Sequence, residues 1–293
     1  MTRILTSLSD VSARYEALYC DLWGCLHNGK APFPAAVAAL QAVRATGGVV
    51  VLVTNAPRPK PAVMRQLDRL GVPRDCYDEV VSSGDAAQFA LMSGAVGQRV
   101  WHLGPDKDET FFTEMAQDIP KGAVIERVPL DRAEGIVCTG LFDDLTEAPE
   151  DYRGRLMLAR EAGLPMLCAN PDIAVDFGDR RLWCAGALAQ LYEEIGGQTL
   201  YFGKPHPPIY DLAARRLGAL REGVSSDRIL AVGDGPGTDI LGAQGEGIDA
   251  VFVTGGLAAA AFGPDTANPD KDLLEAWLAD QGLGPAFAIG HLR

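Results

Sequence analysis

The chain has 293 residues, 47% of them hydrophobic, with a formal net charge of −13. That is apolar material for about two domains and excludes wholesale disorder. The charge repels nucleic-acid backbones and anionic membranes, although a local cationic site can still bind phosphate.

No apolar run nears the ~20 residues of a membrane span, and residues 1–10 lack the apolar core of a secretory signal. Cys20, Cys25, Cys76, Cys138, Cys168 and Cys184 show no CxxC spacing. They read as buried thiols of a cytoplasmic protein rather than as disulfides or a zinc site. His27, His102, His206 and His291 are scattered singly, which also disfavours zinc.

Residues 15–22 form a short apolar run that breaks at Gly24, as a buried parallel strand would. Asp21 is thereby expected near the carboxyl end of that strand, the edge where doubly wound sheets bind ligands. Phe33-Pro34 opens a helix through Ala45, with Pro34 suited to the first turn, and Gly47-Gly48 ends it. Residues 49–53 are a β-branched strand with Thr54-Asn55 at its carboxyl end. A right-handed crossover would bring Thr54 beside Asp21. Val63, Met64, Leu67 and Leu70 recur at helical spacing, and Gly71 closes that helix.

Around Ser82-Ser83-Gly84-Asp85 the chain is expected to leave this core for an insert spanning 84–197. Strand-like runs at 100–103, 135–138 and 166–169 alternate there with helix-like runs at 109–117, 150–161 and 187–195. The core, comprising 1–83 and 198–293, is expected to resume with a strand at 199–202, followed by Gly203-Lys204-Pro205. A helix from Pro207-Pro208 to Leu217, strands at 228–232 and 249–253, and an amphipathic helix at 269–280 complete it. That last helix places Leu273, Leu274, Trp277 and Leu278 on one side. The fold class is therefore α/β: a Rossmann-like doubly wound parallel sheet core with an inserted α/β domain.

Four segments fall in order at strand ends: Asp21-Leu22-Trp23-Gly24, Val53-Thr54-Asn55, Gly203-Lys204-Pro205 and Gly233-Asp234-Gly235-Pro236-Gly237-Thr238-Asp239. Each has a plain reading alone: a turn Asp, a polar strand terminus, a solvated Lys, a turn with a capping Asp. The last does not fit a GxxxxGK[ST] phosphate loop. Together the four resemble the motifs of the haloacid dehalogenase-like (HAD) hydrolase superfamily, and most resemble its class IIA phosphatases, the group of NagD-type nucleotide phosphatases and pyridoxal phosphate phosphatase.

The resemblance implies a Mg²⁺-dependent hydrolase of phosphate monoesters acting on a small phosphorylated metabolite, with no nucleic-acid or membrane partner, as a monomer or homodimer. It implies Asp21 as the nucleophile that becomes an aspartyl phosphate. Mg²⁺ would be held by Asp21, Asp234 and the main-chain carbonyl of Trp23. Thr54 and Asn55 would bind the phosphate, Lys204 would neutralise charge on it and on Asp21, and Asp239 would orient the site. The insert would be a mobile cap of the C2 type, presenting Asn170 and Asp172 of Asn170-Pro171-Asp172 near the substrate; a type I turn explains that tripeptide equally well.

One position departs from the family pattern. HAD phosphatases usually carry a general-acid Asp two residues after the nucleophile, and Trp23 stands there. Loss of such an acid costs roughly 10²–10⁴ in rate. His27 is the nearby candidate for proton transfer, with an edge-of-site role as the simpler reading. Two other functions stay open: a catalytically weak phospho-ligand binding or regulatory protein, and a different hydrolase on the same fold, such as a dehalogenase.

Overall fold

The computed structural model of the chain describes residues 2–120, 122–177 and 180–293. Two compact units emerge: one comprises Met1–Thr54, Gln66–Val81 and Tyr210–Arg293, the other Asn55–Arg65 and Ser82–Ile209. The second unit thus takes in more chain than the insert expected at 84–197, at both ends.

In chain order the strands are β1 (Arg3–Ile4), β2 (Ala17–Cys20), β3 (Val49–Thr54), β4 (Glu79–Ser82), β5 (Arg99–Leu103), β6 (Glu126–Arg127) and β7 (Gly135–Cys138). They continue as β8 (Pro165–Cys168), β9 (Ala174–Phe177), β10 (Arg180–Trp183), β11 (Gln198–Tyr201), β12 (Ile229–Gly233), β13 (Asp249–Val253) and β14 (Phe287–Ile289).

The first unit is built on a seven-stranded sheet in the order β1-β14-β13-β12-β2-β3-β4. Strands β2, β3 and β12 are buried at every position, as expected where helices cover both faces of a parallel sheet. The pairings of β2 with β3 and with β12 are parallel, Leu18 standing opposite both Val50 and Leu230. Connectivity runs outward from β2 in both directions, so the β2/β12 boundary is the topological switch point where such sheets bind ligands.

Helix Pro34–Ala45 carries Pro34 in its first turn and buries Ala36, Val37, Leu40 and Val43. Helix Lys271–Gln281 is capped by the Asp270 side chain, which accepts from the N–H groups of Asp272 and Leu273, and it stops at Gly282, whose φ is 66°. Leu274 and Leu278 are buried, and Trp277 stacks on Phe252 at 5.9 Å. Leu273, expected on the same face, is 48% exposed. The buried stripe follows the i, i+4 pair and leaves Leu273 outside it.

The second unit holds a five-stranded parallel sheet ordered β11-β8-β7-β5-β6. Its strands split their side chains between two cores with period two. Ile136, Cys138, Met166 and Cys168 join Tyr152, Leu156 and Tyr192 on one face; Val137 and Leu167 join Leu91 and Phe111 on the other.

The sequence expectation is corrected here in two places. The strand taken as the return to the core, β11, pairs with β8 instead, Thr199 opposite Met166 and Leu200 opposite Leu167. An apolar run specifies a strand but not the sheet that accepts it. The helix expected at 109–117 shrinks to Thr110–Thr113. Gln88 Nε2 donates to the carbonyls of Phe111 (2.7 Å) and Glu114 (2.6 Å), supplying partners that a longer helix would have provided. Residues 82–85, where the chain is expected to enter the insert, start helix Ser83–Met92, capped by Ser82 Oγ accepting from Asp85 N–H at 3.0 Å.

All six cysteines are free and buried. Among the described residues no helix is long and apolar enough to cross a membrane.

His102, on β5, shares a 3.0 Å hydrogen bond with Thr139 Oγ1 through Nε2, and burial pulls its pKa down from 6.5 to about 4. Unfolded chains therefore take up a proton here below pH 6.5 while the folded protein resists until about pH 4, so acidification across that window destabilises the fold. Thermal melting of His102→Gln should lose less stability than wild type between pH 7 and pH 4; parallel curves would contradict this assignment.

Candidate active site

The first unit brings Asp21 and Asp234 to the switch point. Asp21 directly follows β2, and its N–H donates to the Val232 carbonyl at 2.8 Å, extending the β2–β12 ladder to the sheet edge. Asp234 directly follows β12; Asp21 is 9% and Asp234 4% exposed. One carboxylate oxygen from each and the Cys25 sulfur all lie within 4.8 Å of one another. Thr54, at the end of β3, reaches the same edge, since Leu52 pairs with Cys20 two residues earlier.

Glycines shape this centre. A Cβ on Gly24 or on Gly256 would collide with the Asp234 carboxylate, and Gly24 also has φ +77°, a conformation suited to glycine. Asp234 Oδ2 is fixed by the Leu257 N–H at 3.0 Å. Asp239 acts on its own loop. Its Oδ2 accepts from Gly235 N–H at 3.0 Å and its N–H donates to Gly235 O at 2.8 Å, within the wide turn Pro236–Ile240.

The turn after Asp21 is closed by Leu26 N–H donating to Leu22 O (2.8 Å) and Gly24 N–H donating to His27 O (3.0 Å). The Trp23 ring stands edge-on to His27, centroids 5.3 Å apart. His27 is 1% exposed, and its Nδ1 accepts from Gly29 N–H at 3.1 Å. That ring nitrogen is committed to holding the loop.

The second unit gathers the remaining predicted residues. Asn170 follows β8 and Lys204 follows β11, at the carboxyl edge of adjacent strands with Tyr201 opposite Cys168. Asn55 links them. Its Oδ1 accepts from Lys204 N–H at 2.7 Å, while its Nδ2 donates to Lys204 O at 3.0 Å and to Asp172 Oδ1 at 2.8 Å. Asp172 N–H in turn donates to Asn170 Oδ1 at 3.0 Å. Asn55 and Lys204 are 3% and 4% exposed. A Cβ on Gly203 would clash with Asn55, Pro171 and Ser83, so only glycine lets these segments meet.

Two buried carboxylates converging at a strand edge suit a hard divalent cation, which takes oxygen ligands and keeps part of its water shell. The residues of the first unit therefore fit the metal that the motifs imply. Cys25 was missed as a member of this group. Its signal lay in the turn: an i to i+4 closure from Leu22 to Leu26 folds position 25 back toward the strand end. Burial, reinforced by the charges of Asp234 and Asp21, pushes the Cys25 thiol well above its ordinary pKa.

Comparison with known proteins agrees with this architecture. Residues 18–116 match the family described as haloacid dehalogenase-like hydrolase, and 201–275 match a HAD-hydrolase-like family. A solved hydrolase of the haloacid dehalogenase-like family from Brucella suis 1330 is 41% identical, covers 98% of this chain and 99% of its own, and superposes with a TM-score of 0.85. The chain belongs to the haloacid dehalogenase-like hydrolase family. Within that class, it is similar to the glycerol phosphate phosphatase of Mycobacterium tuberculosis, solved in complex with magnesium: 27% identity, 84% of this chain, 70% of that one, TM-score 0.63. It is also similar to chronophin of Bos taurus, 26% identical over 271 residues, 86% of this chain and 85% of the relative.

Two outcomes follow from this geometry. Gly256→Ala must displace the Asp234 carboxylate, so cation affinity should fall by about tenfold or more and stability by about 1–3 kcal/mol; unchanged metal titration would show that Asp234 is not held there. Asn55→Ala strips buried partners from the Lys204 backbone and should cost about 1–3 kcal/mol in denaturant unfolding. A loss below 0.5 kcal/mol, on the order of experimental scatter, would discount the network.

Proposed function

We propose that the protein is a Mg²⁺-dependent phosphatase of the HAD class IIA type that hydrolyses small phosphate monoesters through an aspartyl phosphate on Asp21. The observation that carries this reading is the convergence of the Asp21 and Asp234 carboxylates at the switch point of the seven-stranded sheet. The second unit, which contains the Asn170-Pro171-Asp172 segment, is read as the cap.

Asp21 attacks phosphorus, the ester oxygen leaves, and the acyl phosphate formed is hydrolysed by water, which returns the free carboxylate and inorganic phosphate. Asp21, Asp234 and the main-chain carbonyl of Trp23 would hold the cation, which when bound screens the charge of the phosphoryl oxygens. Thr54 donates its hydroxyl to the transferring group, and Lys204 contributes a positive charge to it. Asn55 serves mainly to hold Lys204 and Asp172, because both ends of its amide are engaged by them. Asn170 and Asp172 are read as substrate-binding residues of the cap, and Asp239 keeps the Asp234 loop in shape.

Trp23 sets the leaving-group rule. The indole N–H of Trp23 is too weak an acid to protonate a departing alkoxide, and His27 is buried with its Nδ1 accepting from Gly29 N–H in the loop. Esters whose leaving group is a stable anion, aryl and acyl phosphates, are therefore the better substrates. The same substitution supports a second reading, a phospho-ligand binding protein with little turnover.

Phosphate release from a panel of esters with Mg²⁺ tests both. Asp21→Asn, isosteric but not nucleophilic, should lower kcat by at least about 10³-fold with an unchanged melting profile; retained turnover would sink the nucleophile. Trp23→Asp should raise kcat/KM for alkyl phosphates selectively, by up to about 10²-fold. Equal wild-type kcat/KM for alkyl and aryl esters would contradict the missing-acid argument, and phosphate binding without turnover would favour the binding protein.

A further inference from the structure

The centre of the first unit contains one group that phosphoryl transfer does not use. Cys25 is 1% exposed, and its sulfur completes the three-residue cluster with Asp21 and Asp234. We propose that Asp21, Cys25 and Asp234 form a binding site for a thiophilic divalent cation of the zinc or cadmium type, and that such a cation competes with magnesium for the two carboxylates. The inference rests on those carboxylates forming a cation site, not on phosphate turnover.

The argument is one of ligand softness and spacing. Magnesium takes oxygen ligands and holds near-octahedral geometry, so a thiol adds nothing to its affinity. Zinc accepts carboxylate oxygen at about 2.1 Å and thiolate sulfur at about 2.3 Å in tetrahedral sites, which separates ligand atoms by roughly 3.5 Å. The three ligand atoms already lie within 4.8 Å of one another, so side-chain torsions cover the remainder. A fourth position is left for water or an anion, as in zinc sites with three protein ligands.

The backbone places Cys25 beside the two carboxylates. The turn from Leu22 to Leu26 is hydrogen-bonded at 2.8 Å, and Gly24, at φ +77°, packs against Asp234 on one side of the same turn. The closure fixes the Cys25 backbone, so its sulfur moves only about its own side-chain torsion. On binding, the S–H bond breaks, a sulfur–metal bond forms and the proton leaves to solvent, with no change of oxidation state. The other cysteines do not join the cluster among the described residues. A zinc ion held there would displace magnesium from Asp21 and Asp234 and fix the Cys25 sulfur to the same centre, so zinc is expected to act as an inhibitor.

The test uses the full chain freed of metal. Cadmium titration, followed by the ultraviolet sulfur-to-cadmium charge-transfer band, should show saturable binding in wild type, and zinc should displace it. Cys25→Ser should abolish the band and weaken zinc by about tenfold or more, against less than about threefold for magnesium measured by calorimetry. Asp21→Asn, which keeps the shape of the site, should weaken cadmium by about tenfold with the band still present. No band in wild type, a band that survives Cys25→Ser, equal weakening of zinc and magnesium, or cadmium affinity unmoved by Asp21→Asn would each overturn the proposal. A chain that binds cadmium through Cys25 yet hydrolyses no ester would keep this inference and lose the phosphatase reading.

Discussion

The close packing of the Asp234 carboxylate against two glycine backbones is the constraint on which the first unit's chemistry depends. Gly24 follows β2, Asp234 follows β12 and Gly256 follows β13, so three neighbouring strand ends must meet at one side chain. A buried carboxylate needs partners for its lone pairs. The Leu257 N–H supplies one, and a carboxylate oxygen of Asp234 lies within 4.8 Å of one from Asp21. A side chain at either glycine would push Asp234 out of register with Asp21. The parallel sheet provides the edge, and the absent Cβ atoms make the edge usable.

The second unit solves a similar problem with an amide. Lys204 and Asn170 lie beyond adjacent parallel strands, and Asn55 joins the two loops by spending both its oxygen and its nitrogen on them. Burying a lysine to 4% exposure is costly unless its surroundings are fixed. The Asn55 amide fixes the Lys204 backbone on both sides, engaging its N–H and its carbonyl. The loop 55–60 is secured in turn from helix Ser83–Met92. Asp85 Oδ1 accepts from Lys60 N–H at 2.9 Å, and Gly84 N–H donates to Ala56 O at 3.0 Å.

The five residues from Asp21 to Cys25 concentrate what is individual about this chain. Trp23 occupies the place where relatives of the resembled class carry an acid, and Cys25 places a soft ligand beside two hard ones. Both ride on a turn locked by its own hydrogen bonds and by the burial of His27. In the readings proposed above, the first would decide which leaving groups can depart and the second which cations can settle. Neither alters the sheet beneath them, and this separation lets one fold carry differing chemistry on its loops.

Local signals made much of this legible. Continuous apolar runs marked β2, β3, β7, β12 and β13, and Pro34 and Gly71 bounded helices, because burial on both faces and backbone stereochemistry act over a few residues. Asp21, Thr54 and Asp234 were recognisable since each stands one step past such a run. The partners were not legible. That β11 joins β8, that Gln88 cuts short the helix at Thr110–Thr113, that Leu273 faces out, and that Asn55 binds Lys204 rather than standing clear all depend on segments tens to more than a hundred residues apart. Cys25 shows the division most plainly. By sequence it was one buried thiol among six; its nearness to two carboxylates exists only because β2 and β12, separated by two hundred residues, lie side by side. Hydrophobic pattern and turn chemistry determine which elements form, whereas the pairing of strand ends decides which side chains share a site.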